Sequence, residues 1–350
     1  MKTRTKIGVT IGPACADKET FEKMAAEGVD FVRLNFSHGT YETHTEAIKL
    51  VRETSQKSNL GILVLQDLQG PKIRLGGLPE EGIKIIPGET INFDTTLTEY
   101  DGGAIPLTQP RLEKSLHPGE CILIEDGLIE LKISKIENSK IVADALNGGV
   151  LKSHKGLNFP DTKHIDIPAL SEKDKEDVRF GVENGVDIIA LSFVKSVKDV
   201  VELIDLVEEV KKDLGKRNKI QIIAKIERPE AVQSIPKILE VVDGIMIARG
   251  DLGMEMKEEE LPIIQKNLIA ASKAAQKPAM VATQLLFSME HNIRPTRAEV
   301  NDIANAVIDG ASSLLLTNET AVGEHPVEAV KVLRDTVLAT EASKYDDKND

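Results

Sequence analysis

Tryptophan is absent from this chain of 350 residues, and aromatic side chains make up only 3% of it, so any core must be aliphatic. Cysteine is almost absent as well. Cys15 and Cys121 lie far apart without metal-type spacing, which excludes a disulfide framework and suits two thiols in a reducing compartment. Positive charge is in deficit, with 44 Lys and Arg against 57 Asp and Glu, and the resulting −13 argues against nucleic-acid and anionic-membrane partners. An anionic substrate would have to be held by local cations against that field. No apolar run approaches membrane-spanning length, and the opening MKTRTKIGVT lacks an apolar signal core, so a cytoplasmic protein is expected. Neither a Walker pattern nor GxGxxG occurs; the turn after the first candidate strand reads Ile11-Gly12-Pro13-Ala14.

What the chain does contain is alternation. Short β-branched runs at 6–10, 31–35, 62–67, 188–193, 220–226, 244–248, 279–283 and 313–317 predict strands. Amphipathic segments at 18–26, 41–55, 172–183, 197–213, 231–241, 258–275, 297–309 and 326–342 predict helices. Eight strands, each followed by a helix, predict an α/β protein built on a (β/α)8 TIM barrel rather than an open doubly wound sheet. Between 71 and 168 the texture changes to hairpin-like pieces at 82–86, 90–94, 121–125, 128–133 and 140–145, separated by Pro-Gly, Asp-Gly and Asn-Gly-Gly turns. The expected organisation is a catalytic barrel over 1–70 and 169–343, with a small all-β barrel or lid domain over 71–168 inserted at the barrel's C-terminal face. Residues 344–350 form an acidic tail, expected to be disordered.

Candidate chemistry concentrates at the strand exits. The stretch IIAKIERPEAVQSIPKILEVVDGIMIARGD delivers Lys225 and Glu227 from one strand and Arg249 and Asp251 from the next. Other exits carry Arg33, Asn35 and Ser37; Asp67; Ser192 and Phe193; Thr283 and Gln284; Thr317 and Glu319. Charged groups end buried strands where a site exists, because an isolated buried charge is costly. Glu227 and Asp251 could hold a magnesium ion while leaving positions for substrate oxygens. Lys225 and Arg33 could neutralise a phosphoryl group, and Thr283 and Thr317 could carry a proton through water. The residues Arg249-Gly250-Asp251-Leu252-Gly253 look like a tight turn into a short helical piece whose N–H groups could seat an anion. The bland reading is surface charge at strand exits, and a magnesium-dependent lyase or aldolase acting on a 2-oxo acid is the rival chemistry.

Eight stretches resemble pyruvate kinases, in order and along nearly the whole chain: MKTRTKIGVTIGPA, RLNFSHGT, LQDLQGPKIR, KIER, MIARGDLGMEM, ATQLLFSM, RPTRAE and LLLTNETA. The resemblance implies transfer of the phosphoryl group of phosphoenolpyruvate to ADP, giving ATP and, through a magnesium-stabilised enolate that is then protonated, pyruvate, as in glycolysis. It implies Glu227 and Asp251 as magnesium ligands, with manganese as a substitute, and Lys225, Arg33 and Thr283 as catalytic residues. Phosphoenolpyruvate would be bound by Arg33, Lys225, Gly250, Asp251 and Thr283, and the nucleotide by Asn35, His38, Arg74 and Lys155. Asn35, Ser37, Asp67 and Leu68 match the family's monovalent-cation site.

Departures from the family pattern carry their own expectations. Potassium-dependent members read Asp-Thr-Lys-Gly-Pro-Glu where this chain reads Asp67-Leu68-Gln69-Gly70-Pro71-Lys72. The Lys72 ammonium is expected to substitute for the cation, with a solvated hinge lysine as the bland reading. Asn318, Val322 and Phe287 stand where the family has glycine and often lysine and glutamate, which affects nucleotide contacts and subunit packing. The chain stops where the family continues into a C-terminal domain, so sugar-phosphate control is not expected. Arg294–Glu299 resembles the barrel-side dimer contact, which favours a homodimer over a tetramer. The alternative function is a non-catalytic homologue that senses a nucleotide or metabolite. His44, His117, His164 and His291 read as surface or capping residues, and Met246, Met254 and Met256 as packing.

Overall fold

The computed structural model describes residues 3–125, 127–162, 165 and 167–345. His164 and most of the acidic tail therefore fall outside the described residues. The chain divides into two compact units, one formed by 1–70, 169–252 and 259–350, the other by 71–168 with 253–258.

The first unit opens with β1 (Lys6–Thr10), α1 (Lys18–Ala26), β2 (Phe31–Asn35), α2 (Tyr41–Lys57) and β3 (Leu63–Asp67). The chain then enters the second unit. Its strands are β4 (Ile83–Ile85), β5 (Thr90–Asp94), β6 (Ile105–Pro106), β7 (Cys121–Ile124), β8 (Ile129–Glu137), β9 (Lys140–Ala145), β10 (Gly149–Leu151) and β11 (Leu157–Asn158). They form a six-stranded sheet in the order β11-β7-β8-β9-β5-β6 and a separate pair β10-β4. An aliphatic core with Phe93 and Phe159 lies at its centre. The two-residue β6 and β11 escape sequence reading because so short a run shows no period, and β10 begins inside the Asn-Gly-Gly stretch read as a turn.

On return the first unit continues with α3 (Glu172–Asn184), β12 (Ile188–Leu191), α4 (Val197–Asp213), β13 (Gln221–Ile226), α5 (Pro229–Gln233), α6 (Ile235–Val241) and β14 (Gly244–Ala248). It ends with α7 (Arg249–Glu255), α8 (Leu261–Ala274), β15 (Ala279–Ala282), α9 (Arg297–Asp309), β16 (Ser313–Leu316), α10 (Asn318–Ala321) and α11 (Pro326–Glu341). The eight strands β1-β16-β15-β14-β13-β12-β3-β2 close into a barrel with every neighbour parallel. Among the described residues no helix is long and apolar enough to cross a membrane.

Three sequence expectations are corrected. The helix expected over 231–241 is two pieces, α5 and α6, meeting at Ser234, because Pro236 in the first turn of α6 has no N–H to continue α5. The helix expected from Glu258 starts with a 3-10 turn, Glu258–Glu260, and becomes α-helical only at Leu261 with Pro262 behind it. The strands expected to reach Phe193 and Thr283 stop earlier, since Phe193 (φ 55) and Thr283 (φ 71) adopt left-handed backbone that breaks a ladder.

The barrel interior shows why the site sits where it does. Phe31, Leu65, Ile188, Ala190, Ile223, Met246, Met280, Ala282 and Leu315 form one buried cluster. Successive side chains on a strand alternate faces, so the residue two further along points the same way. Phe31 is thus followed inward by Arg33, Leu65 by Asp67, Ala190 by Ser192 and Ile223 by Lys225. An apolar plug is capped by one polar layer at the strands' C-terminal ends. Gly8 makes room for the plug's only ring, because a Cβ there would lie 2.1 Å from Phe31 Cζ.

Candidate active site

The polar layer is a connected network. Lys225 Nζ donates to Ser192 Oγ at 2.7 Å and lies 3.1 Å from Asp67 Oδ1 and 3.0 Å from Glu227 Oε1. Arg33 Nε donates to the other Asp67 oxygen at 2.6 Å, while its Nη1 reaches Thr10 Oγ1 at 3.3 Å. Ser192 Oγ sits 2.7 Å from the Leu68 carbonyl and 3.3 Å from Asp67 Oδ1. Asp67 and Glu227 are each 1% exposed and Lys225 is 8% exposed, so these charges interact through protein rather than water.

Burial alone would neutralise such groups, and the network decides which stay charged. Burial pushes the Asp67 carboxyl up, but Lys225 and Arg33 outweigh it and hold the group below the usual carboxylate range. Burial pushes the Lys225 ammonium down, but Asp67 and Glu227 outweigh it and hold the group above the usual lysine value. Glu227 ends on the other side. Burial raises it, Lys225 only partly offsets this, and the negative charge of Asp251 raises it further.

Glu227 is also the carboxylate with unused capacity. Its Oε2 accepts the Phe193 N–H at 2.7 Å, but the buried Oε1 has no hydrogen-bond partner. The Lys225 ammonium stands 3.0 Å from that oxygen as a charge contact. A buried oxygen that accepts no hydrogen bond, in the repelling field of a second carboxylate, is a fit for a hard divalent cation. Among the described residues no group of three or more His, Cys, Asp or Glu side chains could hold a metal alone. Glu227 and Asp251 would therefore leave most of the coordination shell to non-protein oxygens.

Arg249 does not join this layer as a free cation. The structure starts α7 at Arg249 itself, and the guanidinium turns to the backbone after β15. It donates to the Thr283 carbonyl from Nε at 3.2 Å and from Nη2 at 2.7 Å, and to the Gln284 carbonyl at 3.1 Å. The Gly250 N–H, expected to face a substrate carboxylate, donates to Thr283 Oγ1 at 2.8 Å. Glu319 is likewise structural: buried, it accepts the N–H groups of Leu286 at 3.0 Å and Thr317 at 2.7 Å.

The turn after β2 holds the remaining first-unit candidates. Asn35 Oδ1 accepts the Ser37 N–H at 3.1 Å, and the His38 carbonyl accepts His44 Nε2 at 3.0 Å. His44 is no surface residue; it is buried and stacked on Phe36 with ring centroids 4.1 Å apart. Burial pushes its imidazole down, towards the neutral form. Lys72, Arg74 and Lys155 belong to the second unit, where a Cβ on Gly156 would lie 2.6 Å from Lys72 Cε. Arg74 Nη1 donates to the His154 carbonyl at 2.9 Å, and Lys155 pairs with Glu125.

Two members of the network lacked a role in the sequence reading. Ser192 was visible only as a polar strand exit, and Thr10, the last residue of β1, gave no signal beyond its place. Thr10 Oγ1 donates to the Leu316 carbonyl at 2.9 Å while receiving Arg33.

A closed parallel barrel with buried lysine, arginine and carboxylates at the C-terminal ends of its strands defines a (β/α)8-barrel of the enzyme type. The model of the pyruvate kinase barrel domain matches residues 2–330. The chain is 42% identical to a pyruvate kinase of Thermococcus litoralis, over 97% of this chain and 70% of that one. It is also 42% identical to a pyruvate kinase of Geobacillus stearothermophilus, over 97% of this chain and 57% of the relative. A third, from Corynebacterium efficiens, is 42% identical over 95% of this chain and 69% of its own length. The chain belongs to the pyruvate kinase family, and it spans 57–70% of the length of these relatives.

Proposed function

We propose that this protein transfers the phosphoryl group of phosphoenolpyruvate to ADP and protonates the enolate left behind. The observation that carries this reading is Lys225, buried and held fully charged between Asp67 and Glu227 beside an orphan carboxylate oxygen. In the reaction the bond between phosphorus and the enol oxygen breaks, a bond from phosphorus to an ADP oxygen forms, and C3 gains a proton.

Each residue has a physical task. The Lys225 ammonium is preorganised where negative charge develops, first on the phosphoryl oxygens and then on the enolate oxygen. Arg33, fixed by Asp67 and Thr10, presents its guanidinium to the phosphate and screens it from the acidic body of the protein. Thr283 passes a proton to the methylene carbon through water. Glu227 and Asp251 would hold magnesium, or manganese, which when bound supplies Lewis-acid charge to the substrate oxygens. By the family resemblance, Asn35 and His38 on the first unit and Arg74 and Lys155 on the second are assigned to the nucleotide, and Asp251 with Gly250, whose N–H would have to leave Thr283 Oγ1, to the substrate carboxylate.

We also read the monovalent site as independent of potassium. Two features support this: Lys72 in the family's acidic position, and the engagement of both Asp67 oxygens by Arg33 and Lys225.

The test is pyruvate formation from phosphoenolpyruvate and ADP with magnesium, on the folded chain. Turnover lost on chelation and restored by magnesium is the expected result. A folded protein that binds nucleotide without producing pyruvate would replace this reading with the sensor.

A further inference from the structure

We infer that Arg249 is a positioning residue for Thr283, holding it in a backbone conformation it would not adopt alone. The inference rests on the reading of Thr283 as a substrate-facing residue. Thr283 has φ 71 and is followed by Gln284 at φ 52. For a β-branched residue, left-handed backbone is a true outlier that persists only where its surroundings over-determine it. Threonine at a strand end would otherwise extend the ladder.

The surroundings here are Arg249 and its neighbours. Turning the chain at Thr283 and Gln284 directs two successive carbonyls away from the ladder, where they need donors. The Arg249 fork supplies three hydrogen bonds to those two oxygens, at 2.7–3.2 Å. Its far edge is fixed by Asp302 Oδ2 at 2.6 Å and Gln265 Oε1 at 3.3 Å, so the fork cannot swing away. The next residue grips the same threonine from the other side: the Gly250 N–H donates to Thr283 Oγ1, which donates in turn to the Ala282 carbonyl at 2.6 Å. Backbone and hydroxyl of Thr283 are thus both set by the first turn of α7. The helix that carries Asp251 and the loop that carries Thr283 consequently move as one piece. Lysine could not reproduce this, because a point-like ammonium lacks the planar fork that spans two carbonyls.

The experiment is a double-mutant cycle on the folded chain with Arg249→Lys, Thr283→Ala and the pair. Turnover and exchange of the pyruvate methyl protons with deuterated water are the readouts. Arg249→Lys is expected to lower kcat and the exchange rate by roughly 100-fold with little change in KM, the cost of a misplacement of about 1 Å. The pair should be no slower than Thr283→Ala alone, since Arg249 acts through that residue. Asp302→Asn, which loosens the fork without removing it, should show the same pattern at a few-fold and guards against an unfolded Arg249 variant. Multiplying defects in the double variant, or wild-type kcat in Arg249→Lys, would overturn the inference while leaving the proposed function intact. Wild-type turnover in Thr283→Ala, or none in the parent chain, would overturn the reading beneath it and the inference together.

Discussion

Lys225 and Asp67 meet at 3.1 Å although β13 and β3 are separated in the barrel wall by β12. Ser192, just past the end of that intervening strand, fills the gap with its hydroxyl. The contact spans the barrel interior directly above the apolar plug. A cation and an anion there are removed from water together, and each helps to hold the other charged, with Arg33 adding to the hold on Asp67 and Glu227 to that on Lys225.

Replacing Lys225 by methionine keeps the stem and removes the charge. Asp67 retains Arg33, but Glu227 loses the Lys225 cation that partly offsets its burial. Breaking a buried pair costs about 3–5 kcal/mol when the remaining charge stays uncompensated. The loss is expected to be smaller here, because Glu227 is already pushed towards protonation. Turnover should fall by at least about 100-fold, the lower end for removing one preorganised donor. Thermal unfolding and steady-state kinetics on the same preparation separate the two effects. A variant retaining most of its kcat would remove Lys225 from the chemistry.

Glu227 sets a pH dependence of opposite sign to that of Asp67. Its folded-state value is raised above the ordinary 4.5, so from 4.5 up to the folded value the native state holds a proton that the unfolded chain has released. Stability of the metal-free protein therefore falls as pH rises through that window. Asp67 is depressed below 3.8; its contribution is present above 3.8 and is lost as pH falls through the lower folded value. Glu227→Gln should flatten the first slope and raise the melting temperature of the metal-free protein at neutral pH. Magnesium at a hundred times its Kd should stabilise the parent by about 2.7 kcal/mol and the variant hardly at all. Equal stabilisation of both would place the metal elsewhere.

The barrel was legible because its strands are short β-branched runs that alternate with amphipathic segments forming its helices. Lys225, Asp67 and Arg33 were legible as charges that interrupt apolar strands. Direction was not legible. Arg249 and Lys225 look alike as basic residues at strand ends, yet one caps the plug and the other clamps a turn, because the inward alternation does not extend past Ala248 into α7. His44 looked like an exposed helical residue, and only the fold of the preceding turn stacks Phe36 on it. The left-handed backbone at Phe193 and Thr283 had no signal either, since neither residue type favours it.

Turnover in sodium buffer should match that in potassium buffer within about two-fold, if the lysine charge has taken over the cation's electrostatic part. Lys72→Glu restores the acidic character of potassium-dependent relatives and should make activity respond to potassium. Strong stimulation of the parent chain by potassium over sodium would refute the substitution.

Gly8 and Phe31 test the plug that supports the site. A methyl at Gly8 collides with the Phe31 ring, so Gly8→Ala should destabilise by about 1–3 kcal/mol, the usual cost of overpacking. Adding Phe31→Leu should recover part of the loss, and measured unfolding midpoints decide it. A Gly8→Ala variant as stable as the parent would mean that the ring has room to move.

Lys173 tests the turn between β2 and α2. Its ammonium donates to the Phe36 carbonyl at 2.9 Å and to Asp177 Oδ2 at 2.6 Å. Tyr41 completes the arrangement, with its hydroxyl on Asp177 Oδ1 at 2.9 Å and its ring stacked on Phe180. Asp177 is fully buried, so α3 grips the turn that carries Asn35, Ser37 and His38 through a carboxylate that cannot move into water. Lys173→Met frees the Phe36 carbonyl and keeps the apolar stem. The reacting groups on β13 and α7 are untouched, so kcat should change little while the KM for ADP rises several-fold; a displaced binding group weakens binding that is uniform along the reaction. A fall in kcat with unchanged KM for ADP would instead tie this turn to phosphoryl transfer rather than to nucleotide capture.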